Sequence, residues 1–268
     1  MKSIRSRSNH QLHLLAACAL LAMALPATAA DWDLDALCTS DGNSVATGSC
    51  GSGLSISGWS TATGSVGATT SDNLFHTAKV YDWGSFGLGV VGSNEDPGAT
   101  GPHATDNKYG TDAILFTFTT ATSLSSVKIG WNGSDNATGT SSGAYKDSDL
   151  SVLAWTGAGA PGSLAGAAPN SAGWTLIGNY ANVGLLTGNT ALVAAATTFS
   201  SYWLVSAYNS SYYGNTLNGG SQDNFFDAFK VLKVSGTPTT VAEPGSLALF
   251  GLAAIGLAAA RRRKAKAS

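Results

Sequence analysis

The sequence predicts an all-β fold for the body of this 268-residue chain, a β-sandwich of jelly-roll kind over residues 31–236. Three observations predict it. Short runs rich in β-branched and aromatic residues recur, some alternating with period two. They are Ala113–Thr119, Ser125–Trp131, Leu150–Thr156, Trp174–Tyr180, Tyr202–Tyr208 and Phe226–Val234. Clusters of Gly, Asn, Asp, Ser and Pro separate them, as in 92–107 and 157–170. No stretch of the body repeats apolar residues at helical spacing between caps. A body of this length can bury one good core as a single domain.

The first element is not part of that fold. Residues 1–30 carry Lys2, Arg5 and Arg7 and no acid, then an apolar run from Leu14 to Leu25. They end in Ala27-Thr28-Ala29 or Thr28-Ala29-Ala30, small residues of the kind cut by a signal peptidase. That is a secretory signal peptide and implies the secretion machinery as a partner. Cys18 resembles a lipoprotein cysteine, but most of the apolar region follows it.

The body begins with Asp31, Asp33 and Asp35 alternating with Trp32 and Leu34. No glycine follows, so this is an edge strand and not a calcium loop of EF-hand type. Cys38 and Cys50 come next, with eleven residues between them in a Gly/Ser-rich stretch. In an oxidising compartment such a pair forms a disulfide, and too few ligands surround it for zinc.

Between the signals the body has six bases against fifteen acids, a formal charge of −9, although the whole chain is only −2. A surface this acidic repels phosphate backbones and excludes nucleic acid as a partner. Acids gather in the Gly/Pro-rich loop before the first strong strand. Asp96, Asp106 and Asp112 are the candidate metal ligands there, because calcium takes carboxylate and carbonyl oxygens from such loops. Calcium is the one cofactor the sequence suggests. The competing expectation is that these acids, with Asp149 and Asn107, cap strands and make Asx-turns.

Two catalytic patterns fail on context. Gly139-Thr140-Ser141-Ser142-Gly143 matches a nucleophile elbow, but no helix follows it. Gly157-Ala158-Gly159-Ala160-Pro161-Gly162 follows a strand, yet Pro161, Gly162 and Pro169 spoil the helix that would meet a pyrophosphate. Only His76 and His103 lie outside the signal peptide. The expectation is a protein with no catalytic residues. Tyr208, Tyr212 and Tyr213, in the segment Tyr208–Asn215, are the candidate ligand-binding residues, as an exposed aromatic surface for sugar.

After the last strand, 237–242 reads as a polar linker. Leu247–Ala260 is then apolar or Gly throughout, and Arg261, Arg262, Arg263 and Lys264 follow. Counted from Pro244 the run spans about 25 Å as a helix, just short of the hydrocarbon core. Snorkelling arginines make up the difference and hold the basic end in the cytoplasm, with the body outside.

The succession Glu243-Pro244-Gly245, apolar helix, Arg261-Arg262-Arg263 resembles the PEP-CTERM sorting signal over 243–268, with Ala242 where that signal usually has its first proline. The resemblance implies a transient anchor in the inner membrane, and cleavage by an exosortase that leaves the body at the cell surface or outside it. The runs "DAILFTF", "SSVKIGW", "GWTLIGNY" and "DNFFDAFKVLKV" are similar to those of exosortase-dependent surface proteins with no assigned activity. Together they imply a non-enzymatic surface or extracellular-matrix protein, associated with exopolysaccharide or biofilm. The alternative is a carbohydrate-binding β-sandwich module, calcium-stabilised.

Overall fold

The computed structural model describes residues 28–38, 48–95, 103–133, 148–184, 189–195, 197–218, 226–239, 251, 253–256 and 262. The chain divides into a body, Thr28–Thr239, and a second unit containing Met1–Ala27 and Thr240–Ser268. In the second unit Gly251, Ala253–Gly256 and Arg262 are helical. Among the described residues no helix is long and apolar enough to cross a membrane. Most of Leu247–Ala260 lies outside them, as do Glu243, Pro244, Gly245, Arg261 and Arg263.

The body is all-β, as its composition requires. In order it contains β1 (Ala30–Asp33), α1 (Leu34–Leu37), β2 (Gly48–Ser49), β3 (Leu54–Thr63), β4 (Thr70–Asp82), β5 (Leu88–Val91) and β6 (Thr105–Asp106). Then come β7 (Asp112–Asn132), β8 (Ser148–Trp155), β9 (Trp174–Val183), β10 (Thr190–Leu192), β11 (Ser200–Ala207), α2 (Ser210–Tyr213) and β12 (Ala228–Pro238). A 3-10 turn, Gly84–Phe86, joins β4 to β5.

The arrangement corrects the jelly-roll expectation. The strands form one sheet ordered β1-β12-β5-β4-β3-β7-β11-β8-β9, and β12 pairs again with β7. The strands β12, β5, β4, β3 and β7 therefore close into a five-stranded barrel, with β11, β8 and β9 continuing outward from β7. Closure depends on the length of β7. Its first half, through Phe118, pairs with β3 and β11; its second half, from Thr122, pairs with β12. Between Tyr202↔Thr117 and Ser200↔Thr122 the register shifts, so β7 bulges and turns from one set of partners to the other. The expected strands Ala113–Thr119 and Ser125–Trp131 are thus two halves of one strand.

Alternation sorts β7 into two faces. Ile114, Phe116 and Phe118 enter the main core with Val127, Ile129, Val152, Trp203, Val205 and Val231. Ala113 and Leu115 point the other way, into a second cluster with Phe75, Leu153, Leu164 and Leu204. Strands buried on both faces read as nearly continuous apolar runs, which is why these were the most legible ones. Trp203 is fully buried, and its indole N–H donates to the carbonyls of Thr122 and Ser200, each at 3.0 Å.

The N-terminal segment plugs the barrel. Trp32 meets Phe118 edge-on at 4.8 Å, and Leu34 is fully buried. The Cys38–Cys50 disulfide forms, with both cysteines inside the main core. β1 pairs only with β12, Ala30 opposite Gly236, so the two places where chain leaves the body lie side by side. β12 continues through Thr237 and Pro238, opposite Ser123 and Thr122, and the Thr239 N–H donates to Ala121. Residues 237–239 of the expected linker thus belong to the last strand and its end, and 240–242 lie outside the described residues. A proline fits at the end of this strand, where no further N–H is needed.

Replacing both cysteines by serine is expected to lower stability by about 2–3 kcal/mol, the chain entropy of so short a loop. For a body of this size that is a fall in Tm of roughly 4–12 °C. Thermal unfolding of the oxidised protein and of the double variant measures it; an unchanged Tm would mean packing alone holds α1.

Candidate functional site

Polar side chains gather in four places, and the structure decides which of the sequence candidates meet. The tyrosine segment follows β11. Asn209 caps α2 by accepting from the Ser211 N–H at 3.0 Å. The helix then turns its tyrosines inward. Tyr208 and Tyr213 are buried in the second apolar cluster. The Tyr208 hydroxyl donates to the Gly214 carbonyl at 2.8 Å and that of Tyr213 to Ser206 Oγ at 3.1 Å. Burial pushes the Tyr213 hydroxyl far above its ordinary pKa. Tyr212 stays half-buried and donates to Asn73 Oδ1 at 2.6 Å. The expected exposed platform of Tyr208, Tyr212 and Tyr213 is thus corrected: they close over the outer face of the sheet. A tyrosine has an apolar body, and the uncovered face of β11 needs one.

The acids divide into two groups. Asp149 and Asp227 act as strand caps. Asp227 Oδ1 accepts from the Asp149 N–H at 2.5 Å, and Asp149 Oδ1 from the Asn182 N–H at 2.9 Å. Asn107 bridges to Asp227 Oδ2 at 3.0 Å and to the Tyr208 carbonyl at 2.7 Å. This clasp ties the starts of β8 and β12 to the segment after β6.

The second group is Glu95, Asp106 and Asp112. Asp106 Oδ1 accepts from the Lys108 N–H at 3.0 Å, and Glu95 Oε2 from the Gly92 N–H at 2.9 Å. Asp112 accepts from the Ser60 hydroxyl. Burial, and then the charge of Glu95, pushes Asp106 up to about 8. Burial, and then the charges of Asp106 and Glu95, lifts Asp112 well above the carboxylate range. The structure brings Asp106 and Asp112 together, whereas Asp96 lies outside the described residues. Among the described residues no set of three or more His, Cys, Asp or Glu side chains is arranged to hold a metal ion.

The third place is one that sequence reasoning missed. Lys230 Nζ sits 4.5 Å from the ring centres of both Trp83 and Trp131. Trp83 in turn stacks on the buried His103 at 5.5 Å. Desolvation lowers the Lys230 pKa to about 8. The cage joins the turn after β4, the end of β7 and the start of β12, and no local pattern announces such a contact. The pairing Lys230↔Trp131 puts two of its members on one face of the sheet. His76, the other histidine of the body, is exposed and pairs with Asp72 at 2.9 Å. A surface pair of this kind contributes little.

The fourth place is a shallow cleft of about 570 Å³ on the outer face of β3, β7 and β11. Ser55, Thr117, Thr119, Ser201 and Tyr202 line it.

Fold and sites define an all-β barrel domain, disulfide-stapled and acidic. Residues 240–264 match the model of the PEP-CTERM protein-sorting motif. The chain therefore carries, at its C-terminus, the motif of an exported protein sorted by an exosortase. A comparison with curated proteins finds no match to this chain.

The buried acids make a pH dependence. An acid whose pKa is raised by folding holds its proton in the native state and releases it on unfolding. Its contribution to stability is full below the unfolded value, near 4, and is lost as pH rises toward and through the folded one. Tm is therefore expected to fall between roughly pH 5 and pH 8, and the D106N/D112N variant to flatten that fall. Melting curves across this range decide it, and a native Tm that rises instead would refute the protonated pair. Calcium chloride that abolishes the loss at the upper end would place a cation on these carboxylates.

Proposed function

We propose that this is a non-enzymatic surface or matrix protein. It is exported by the secretion machinery, held transiently in the inner membrane and cut by an exosortase near Glu243–Pro244. It then joins the exopolysaccharide or biofilm layer at the cell surface. The observation that carries the sorting half is the motif at 240–264. The fold supports it in one respect. β12 ends at Pro238, so cleavage after Thr239 removes no strand and leaves the barrel closed. The polar clusters support the non-enzymatic half. The Asp149–Asp227 clasp fastens strands, and His103 is packed against Trp83, so each has a structural role. A second reading, a carbohydrate-binding module, is favoured by the uncharged cleft.

Intact mass spectrometry of the protein from its producing cell, and from an exosortase-deficient strain, tests the reading. The expected mature chain lacks residues to Ala29 or Ala30 and lacks the tail from near Glu243. In the deficient strain the tail should remain. A tail retained in both would make the body a permanently anchored domain and end the sorting proposal.

A further inference from the structure

We infer that the cleft on the outer face of β3, β7 and β11 is a binding site for a neutral polysaccharide chain. The inference rests on the surface-layer reading above and gives its polysaccharide contact a location. It begins with register. Ser55 on β3 and Tyr202 on β11 both stand opposite Thr117 on β7. Strand partners share a face, so the three side chains form one row across three hydrogen-bonded strands. The next two rows inward, Ser57/Leu115/Leu204 and Trp59/Ala113/Ser206, lie over the second apolar cluster, beneath Phe75, Tyr208 and Tyr213. Cover stops at the Ser55/Thr117/Tyr202 row, and there the cleft opens.

Its chemistry is uniform. Among the described residues the lining holds four aliphatic hydroxyls, one tyrosine and no charged side chain. None of these five hydroxyls forms a hydrogen bond with a described residue. Elsewhere in the body such groups are used: Ser123, Ser148, Ser200 and Ser206 each donate to a backbone carbonyl. A row of unengaged hydroxyls on a rigid sheet offers both donors and acceptors, which is what a polyol ligand requires. The half-buried Tyr202 ring adds an apolar surface on which a sugar face can lie. The volume falls within the roughly 300–1,000 Å³ of small-molecule sites.

The rim is also built. Gly159 and Ala160 form one edge. The Trp155 indole N–H donates to the Gly159 carbonyl at 2.9 Å and fixes that edge over the end of β8. The loop can pack there because Gly157 has no Cβ; one would stand 2.5 Å from the Trp155 ring. Absence of charge selects the ligand class. A uronate or phosphate polymer would find no cation in this lining and would meet an acidic body, so the ligand is a neutral glycan.

Isothermal titration of the full chain, in a detergent without a sugar headgroup, tests this with cellohexaose, maltohexaose, mannohexaose and chitohexaose at about 1 mM. At least one is expected to bind saturably. Thr117→Val and Tyr202→Phe keep the shape of the row and remove one hydroxyl each. Each is expected to weaken binding about three- to tenfold, with Tm unchanged. No binding to any of the four, or binding that both variants leave intact, overturns the site. Failure of the surface reading looks different: the tail would stay uncut in the producing cell while the titration still reported a bound hexasaccharide.

Discussion

The structure depends on one contact, the pairing of the last strand, β12, with the second half of β7. Without it the sheet is an open ribbon whose main core is bare on one side. With it Val127 stands beside Val234 and Ile129 beside Val231, and all four enter the main core. Among the described residues β12 is also the sole strand partner of β1 and β6, and it is the seam to β5. Such closure joins residues far apart in sequence, so it comes late in folding. In an exported chain it also waits for β12 to emerge, and β12 immediately precedes the sorting segment. The barrel is completed by the last strand of the body, and that strand also holds Ala30 opposite Gly236, beside the two exits of the chain.

Low charge and abundant small residues follow from this arrangement. The central strands β7, β8 and β11 are covered on both faces, and polar side chains there must be small and fully bonded. Ser206 shows how this works: it donates to the Asp112 carbonyl and receives the Tyr213 hydroxyl. Glycine serves close approach in the same way. At Gly130 a Cβ would stand 2.6 Å from the Phe86 carbonyl, where the 3-10 turn crosses β7. A protein rich in Gly, Ser and Thr can therefore still own a dense core, because its apolar residues are concentrated on a few strands.

This distribution also explains what was legible. The doubly buried strands β7, β8, β11 and β12 show as apolar runs, and the adjacent cysteines show as a disulfide. β3 and β4 carry weaker signals, since their alternation places Gly58, Ser60 and Ala78 where larger apolar residues usually stand. Closure was not legible at all. Sandwich and barrel share the same strands and turns, and only the register of β12 on β7 separates them. The tyrosines misled for a related reason. A Tyr-rich segment after a strand looks exposed until one knows that the outer face of β11 lacks other cover. Asp106 and Asp112 were legible as a pair of acids in one loop region, but their burial follows from β6 pairing with β12. The Ser55/Thr117/Tyr202 row is beyond any local pattern, because each member comes from a different part of the chain.

Charge ties these observations together. The formal −9 of the body overstates what its surface presents. Asp106 and Asp112 sit inside, where burial and then the neighbouring carboxylates raise their pKa values and favour their uncharged forms. Asp149 and Asp227 are buried too, and backbone N–H groups point at their oxygens, that of Asn182 at the end of β9 to Asp149 and that of Asp149 at the start of β8 to Asp227. Lys230, a buried cation, lies against two indole rings, and desolvation weakens its hold on its proton. Folding thus draws much of the charge of the middle of the chain inward and neutralises or caps it. Where the cover of the second apolar cluster stops, the described lining of the face of β3, β7 and β11 presents hydroxyls and no charge. An acidic body repels polyanions at long range, and this uncharged opening is what the proposed neutral glycan would require at contact distance.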